Sequence, residues 1–203
     1  EPLRDEHGNP VIETAAYNLL SHSLYSHSSD ARERWTLNNV AGNPIRGWNS
    51  RGFETRLSYD ALQRPTHLFV RQGAGAEVLA ERTVYGEIHP EAIARNLRGK
   101  VFQHYDSAGV ASSWEFDFKG NLLRGSRQLT REYREQVNWL AIADLTDIPT
   151  LIATASAQLE PRVFDVITVY DALNRPISII SPDSSEARPT YNEANLLEQM
   201  QER

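Results

Sequence analysis

One short pattern recurs along this chain and leaves its fold little freedom: Asp or Asn, two residues of any kind, then Gly or Asn. It stands at Asp5–Gly8, Asn39–Gly42, Asn49–Gly52, Asn96–Gly99, Asp106–Gly109, Asp117–Gly120, Asp171–Asn174 and Asn192–Asn195. Asn18–Ser21 and Asp60–Gln63 fit the same frame more loosely. Asn18, Asn39 and Asp60 are each 21 residues apart, and so are Asp171 and Asn192. Half-steps of 10 and 11 run through Asn39, Asn49 and Asp60, and again through Asn96, Asp106 and Asp117. Steps of 12 and 9 link Asn18, Asp30 and Asn39, and also Asp171, Asp183 and Asn192. A fixed period of this kind marks a repeat architecture.

Each unit has a direct physical reading. An Asp or Asn side chain accepts hydrogen bonds from the backbone just ahead of it and so opens a type I turn. The fourth residue must then take a positive φ, which Gly adopts freely and Asn tolerates. That is the turn-plus-bulge connection of a β-hairpin. A step of ten or eleven residues leaves about six or seven for each strand, an ordinary strand length.

The flanks agree with hairpins. An aromatic residue precedes the turn at Tyr17, Tyr59, Tyr105, Phe116, Tyr170 and Tyr191. β-branched and aromatic runs follow it, as in Thr66–Val70, Lys100–Tyr105 and Ile177–Ile180. Pro10, Pro44, Pro65 and Pro176 each lie five residues after a turn opener, where proline starts the outgoing strand.

Two stretches break the rhythm. Residues 72–95 carry Gly73, Gly75 and His89-Pro90 and read as a longer loop, with a helical turn near Glu91–Arg95. Within 126–163, Arg131–Glu135 and Ala153–Leu159 favour helix, bounded by Pro149 and Pro161. The expected organisation is a β-sheet segment over 1–125, a loop-and-helix insertion over 126–163, and a segment over 164–203 that continues the same sheet.

Composition narrows the functional classes. The net charge is -6 with a pI near 5.5, and Lys100 and Lys119 are the only lysines, which disfavours nucleic acid and anionic membranes as partners. The longest apolar-leaning window, 139–157, is interrupted by Asp144, Asp147 and Pro149, so no membrane insertion is expected. The absence of cysteine removes disulfides, thiolate catalysis and Cys-ligated zinc. Beginning at Glu1 rather than Met, the chain reads as a piece of something longer.

The segments Leu57-Ser58-Tyr59-Asp60-Ala61-Leu62-Gln63-Arg64-Pro65 and Val169-Tyr170-Asp171-Ala172-Leu173-Asn174-Arg175-Pro176 resemble the YD repeats of the RHS family. Asp117–Leu123 and Arg188–Leu197 add to the likeness, which is greatest to the repeat region of bacterial toxin-complex B and C components and their SpvB-like relatives. The resemblance implies a sheet that spirals into a hollow shell, encloses a C-terminal toxin polypeptide and releases it through a pore-forming partner. It also implies a secreted or cell-surface bacterial setting. The family's autoproteolytic core carries an Asp-Pro-x-Gly signature, and this chain contains no Asp-Pro. No catalytic residue is therefore carried over.

Other candidate sites have simpler explanations. His7, His22, His27, His67, His89 and His104 are scattered, without metal-ligand spacing. There is no Gly-x-Ser-x-Gly elbow for a nucleophilic serine. Gly73-Ala74-Gly75-Ala76 lacks the Lys-Ser/Thr pair of a phosphate loop. Asp60, Asp106, Asp117 and Asp171 resemble paired acids until their turn-opening positions are noticed. Trp35, Trp48, Trp114, Tyr59, Tyr105 and Tyr170 suit either packing between hairpins or a glycan-binding stripe.

The sequence thus leads to an all-β chain: a curved antiparallel sheet of tandem hairpins, part of a spiral shell, with a partly helical insertion. Its expected role is structural, with no enzyme activity, cofactor or metal. The expected partners are toxin cargo, other shell segments and a pore-forming partner. A carbohydrate- or protein-binding repeat module is the alternative. The residues that should matter most are the turn formers Asp60, Gly99, Asp106, Gly109, Asp117, Gly120 and Asp171.

Overall fold

The computed structural model describes residues 7, 12–29 and 31–203. They form fourteen strands whose order in the sheet is their order in the sequence, and every described pairing is antiparallel. Where an Asp or Asn turn reverses the chain within a few residues, the outgoing strand pairs with the strand it has just left; the strands on either side of 86–100 and of 131–158 pair across longer connections. The all-β antiparallel fold expected from the repeat is the fold found. The expected turn at Asp5–Gly8, the proline at Pro10 and the half-step at Asp30 lie outside the described residues.

The chain divides into two compact units, 1–81 and 82–203. The first contains β1 (Ile12–Tyr17), β2 (Ser23–Ser28), β3 (Arg32–Asn38), β4 (Pro44–Asn49), β5 (Phe53–Tyr59), β6 (Pro65–Gln72) and the beginning of β7 (Val78–Tyr85). An ionic cluster lies on its sheet. Arg56 makes a two-pronged pair with Glu77 and lies 3.8 Å over the Phe69 ring. Arg71 and Arg46 both pair with Glu54.

The second unit contains the rest of β7, then β8 (Val101–Asp106), β9 (Gly109–Phe116), β10 (Leu122–Thr130), the helix α1 (Ile148–Ala155), β11 (Leu159–Tyr170), β12 (Pro176–Ile180), β13 (Glu186–Tyr191) and β14 (Leu197–Glu202). Strand register puts Arg82, Tyr105, Val110, Gln128 and Val163 in one row across one sheet face. Val84, Gln103, Ser112 and Ser126 form the next row. The segment between β10 and β11 covers this face and buries Val137, Trp139, Ile142, Ile148, Leu151 and Ala155. Asp147 caps α1, its carboxylate accepting from the Thr150 amide at 2.9 Å.

Several local expectations are corrected. The stretch 72–95 is not one long loop, because β7 lies inside it. The excursion is shorter than 126–163: β10 continues to Thr130 and β11 begins at Leu159, leaving 131–158 outside the sheet. Arg131–Glu135 forms no helix, and Pro149 sits inside the first turn of α1 rather than before it. Pro161 lies within β11, where the pairing slips between Gln128–Val163 and Thr130–Leu159; a proline without an amide proton is tolerated at such an irregularity. No helix among the described residues is long and apolar enough to cross a membrane.

Candidate functional site

Seven of the hairpin tips built by the repeat are held by the same set of bonds. At Asn18, Asn39, Asn49, Asp60, Asp117, Asp171 and Asn192, the side-chain Oδ1 accepts from the amides two and four residues ahead, at 2.8–3.0 Å. The amide of the fourth residue donates to the opener's carbonyl in every case, as from Gln63 to Asp60 at 3.0 Å. One oxygen atom thus fixes the whole reversal, which is why the pattern demands Asp or Asn there.

Asp and Asn are not equivalent in this position. Where the residue four ahead brings a donor, the second carboxylate oxygen receives it: Arg64 Nε bonds Asp60 at 2.7 Å, Arg175 Nε bonds Asp171 at 2.7 Å, and Asn121 Nδ2 bonds Asp117 at 2.8 Å. These bonds hold the carboxyls below the ordinary carboxylate range. For Asp171 the Arg175 amide is the largest cause; for Asp60 partial burial opposes the shift and the Arg64 bonds prevail. An acid held ionised by its own turn is poorly placed to act as a general acid.

The fourth residue takes a positive φ at Ser21, Gly42, Gly52, Gln63, Gly120, Asn174 and Asn195. The non-glycine members include a second device that the sequence reading missed. Gln63 Oε1 accepts from Asn39 Nδ2 at 2.9 Å, Asn174 Oδ1 from Asn121 Nδ2 at 3.0 Å, and Asn195 Oδ1 from Arg175 Nη1 at 2.8 Å. The amide side chain at the strained position thus reaches an earlier tip. The bond offsets the roughly 1 kcal/mol that a left-handed conformation costs a non-glycine residue.

The tyrosine before the turn has its own partner. Tyr59 OH donates to the Pro44 carbonyl at 2.7 Å, and Tyr191 OH donates to the Pro176 carbonyl at 3.0 Å, each across fifteen residues. Arg175 also lies 4.6 Å over the Tyr191 ring. Tyrosine, aspartate, arginine and proline of the repeat are therefore parts of one interlocked unit.

Three expected turns differ. Asn96 is not an opener: it takes a positive φ itself, and the reversal runs from the Leu97 carbonyl to the Lys100 amide, with Gly99 at φ +74°. Asp106 makes a tighter hairpin, with Asp106 paired directly to Gly109; its Oδ1 accepts from the Ala108 amide and from Arg127 at 2.6 Å. The half-step assigned to Asp183 is opened by Ser181, whose carbonyl accepts from the Ser184 amide at 2.9 Å. Openers at 171, 181 and 192 restore the steps of 10 and 11 residues.

The six aromatics do not all face solvent. Tyr105 is buried under Trp139, whose ring meets it edge-on at 5.1 Å. The Tyr105 hydroxyl donates to Gln103 Oε1, and burial pushes it far above the ordinary tyrosine range. Trp114 Nε1 is bonded to Ser126 Oγ. In the first unit Trp35 and Trp48 are cross-strand partners, half-exposed, with Tyr25 at 5.6 Å from Trp35.

The fold recurs in toxin-complex proteins. The crystal structure of TcdB2-TccC3 is similar over 96% of this chain with a TM-score of 0.85 and 21% identity. A structure of the Photorhabdus luminescens Tc holotoxin pore gives the same values, and TcdB2-TccC3-TEV gives a TM-score of 0.83 at 21% identity. This chain spans 9% of the length of each of those chains. At that identity the likeness to the toxin-complex chains is one of fold. No protein-family model and no curated protein matches the chain.

Proposed function

We propose that this chain is a stretch of wall in an RHS-type shell of a secreted bacterial toxin complex, where it helps to enclose a toxin polypeptide. The observation that carries the reading is the interlocking of hairpin tips within each unit. Seven tips are closed internally by one pattern of bonds, and three side-chain pairs, Asn39–Gln63, Asn121–Asn174 and Arg175–Asn195, link one tip to another 20 or more residues away, as suits a sheet that grows by adding units. The similarity of fold to toxin-complex chains supports the same reading. Its action is steric, with no catalytic step. The partners are the cargo, further shell segments and a pore-forming component.

The test is protease protection of cargo in the complete protein that carries this segment. Intact protein should shield its cargo, and Gly109→Val should expose it. Cargo equally shielded after the segment has lost its fold would defeat the proposal. A glycan-binding module is the second reading, favoured by the half-exposed Trp35–Trp48 pair, because aromatic faces stack on sugars. Saturable binding on a glycan array, lost in Trp35→Ala, would support it.

A further inference from the structure

A cavity of about 350 Å³ lies beside the 117–120 tip, and its walls combine two features. The first is positive charge. Both lysines of the sequence, Lys100 and Lys119, line it together with Arg98, although the chain as a whole carries a net charge of -6. The second is exposed apolar surface: Phe118 is 86% exposed and Ile93 is 68% exposed.

The charges are only partly used. Lys119 Nζ donates to the Ala172 carbonyl and lies 5.7 Å from the Phe118 ring. Lys100 Nζ sits 5.4 Å from the Phe116 ring, over the Gly120 backbone, where an added Cβ would come within 3.0 Å. Neither Lys100 nor Arg98 has a carboxylate partner among the described residues. The one carboxylate in the wall, Asp117, is committed to its own turn.

We infer that this cavity is a docking site for an extended polypeptide segment bearing carboxylates next to an apolar side chain. Charge complementarity selects the acidic groups, and Phe118 with Ile93 supplies apolar area that a bare anion would leave unused. The volume lies in the range of pockets that take side-chain-sized ligands and exceeds the needs of a single small anion. An anionic membrane is disfavoured because three cations on a net-acidic chain give little attraction beyond a Debye length. The inference stands apart from the enclosure reading: a recognition module would need such a pocket as much as a shell.

The experiment is fluorescence anisotropy of the whole chain with a labelled peptide of alternating glutamate and leucine. Saturable binding that weakens with added salt is expected. The Arg98→Ala/Lys100→Ala double variant and Phe118→Ser should each weaken it at least tenfold, with thermal melts confirming that both remain folded. Arg51→Ala, in a tip outside the cavity, should bind as the parent does. No binding, equal binding of the glutamine-for-glutamate peptide, or full retention in the double variant would each overturn the inference. So would competition by millimolar inorganic phosphate that abolishes the leucine dependence, or binding to phosphatidylserine vesicles without peptide binding; these point to a simple anion site or a membrane instead.

Discussion

The hydroxyl of Tyr59 is hydrogen-bonded to the carbonyl of Pro44 at 2.7 Å, tying the residue before one turn to the residue that starts an earlier strand. Tyr191 and Pro176 repeat the contact at 3.0 Å. The proline has no amide proton to offer the sheet, yet its carbonyl remains free to accept, and the tyrosine fills that place. Tyr59→Phe and Tyr191→Phe should each cost about 0.5–1.5 kcal/mol, the net worth of one hydrogen bond. Equilibrium urea unfolding of the two variants checks this, and a loss confined to ring packing would leave both unchanged.

The tip-to-tip bonds predict an unusual order of substitutions at Asn174. Its φ of +64° favours glycine, while its Oδ1 bonds Asn121 of an earlier tip. Asn174→Gly relieves strain and loses the bond, so it should be nearly neutral. Asn174→Ala keeps the strain and loses the bond, and should cost about 1–2 kcal/mol. Thermal melts of both variants give the comparison, and equal destabilisation would speak against the bond.

Gly109 and Gly120 were equally prominent in the repeat, and the structure separates them. Both have positive φ, +134° and +92°. A Cβ on Gly109 would run into the Gln128 carbonyl oxygen and come within 2.9 Å of Leu129 Cα, both rigid backbone. A Cβ on Gly120 meets only the mobile end of Lys100 at 3.0 Å. Gly109→Ala should therefore cost on the order of 3 kcal/mol or more, and Gly120→Ala about 1–2 kcal/mol. Denaturant midpoints would reveal the difference.

What the sequence disclosed and what it hid follow from which groups do the work. A turn is a local event, fixed by one oxygen and the next four amides, so Asn39, Asp60 and Asp171 are visible without knowing anything distant. β7 was missed because its inward row reads Ala80, Arg82, Val84. An arginine at the central inward position disguises the alternation, and only the overlying excursion explains it: Arg82 Nη2 donates to the Leu145 carbonyl 63 residues away. Asn96 misled for the opposite reason. It has the right letters, but its side chain is engaged with the Phe116 carbonyl at 2.9 Å and cannot open a turn. The inter-tip bonds of Gln63 and Asn174 were legible only as departures from glycine, and their purpose required the neighbouring tip.

The turn aspartates give the fold a defined acid limit. The Asp106 carboxyl lies below the ordinary range: burial works against this, but the Arg127 and Ala108 hydrogen bonds and the charges of Arg127 and His104 prevail. Asp60, Asp117 and Asp171 are shifted in the same direction. A carboxyl whose folded pKa is depressed contributes stability that is complete above its unfolded value of about 3.9 and is lost as pH falls through the folded value. The melting temperature should therefore be flat from neutrality to about pH 5 and fall steeply below about pH 4. Asp106→Asn should lower the neutral plateau and flatten the acid limb, and a parallel downward shift at all pH values would contradict the assignment.

Trp139 fastens the excursion to the sheet, and this gives the largest expected effect away from the turns. It is fully buried, its Nε1 donates to the Asp106 carbonyl at 3.0 Å, and its ring meets Tyr105 edge-on. Trp139→Phe keeps most of the apolar contact and leaves the Asp106 carbonyl without that donor; it should cost about 1–3 kcal/mol. Trp139→Ala opens a cavity above Tyr105 and should cost about 3–5 kcal/mol. The excursion is joined to the sheet by packing and a few backbone contacts, while β8–β10 keep their own ladder. The alanine variant should therefore lose hydrogen-exchange protection first at the amides of 139–158, with those of β9 persisting. Simultaneous loss in both regions would mean that the sheet face and its cover fold as one inseparable unit.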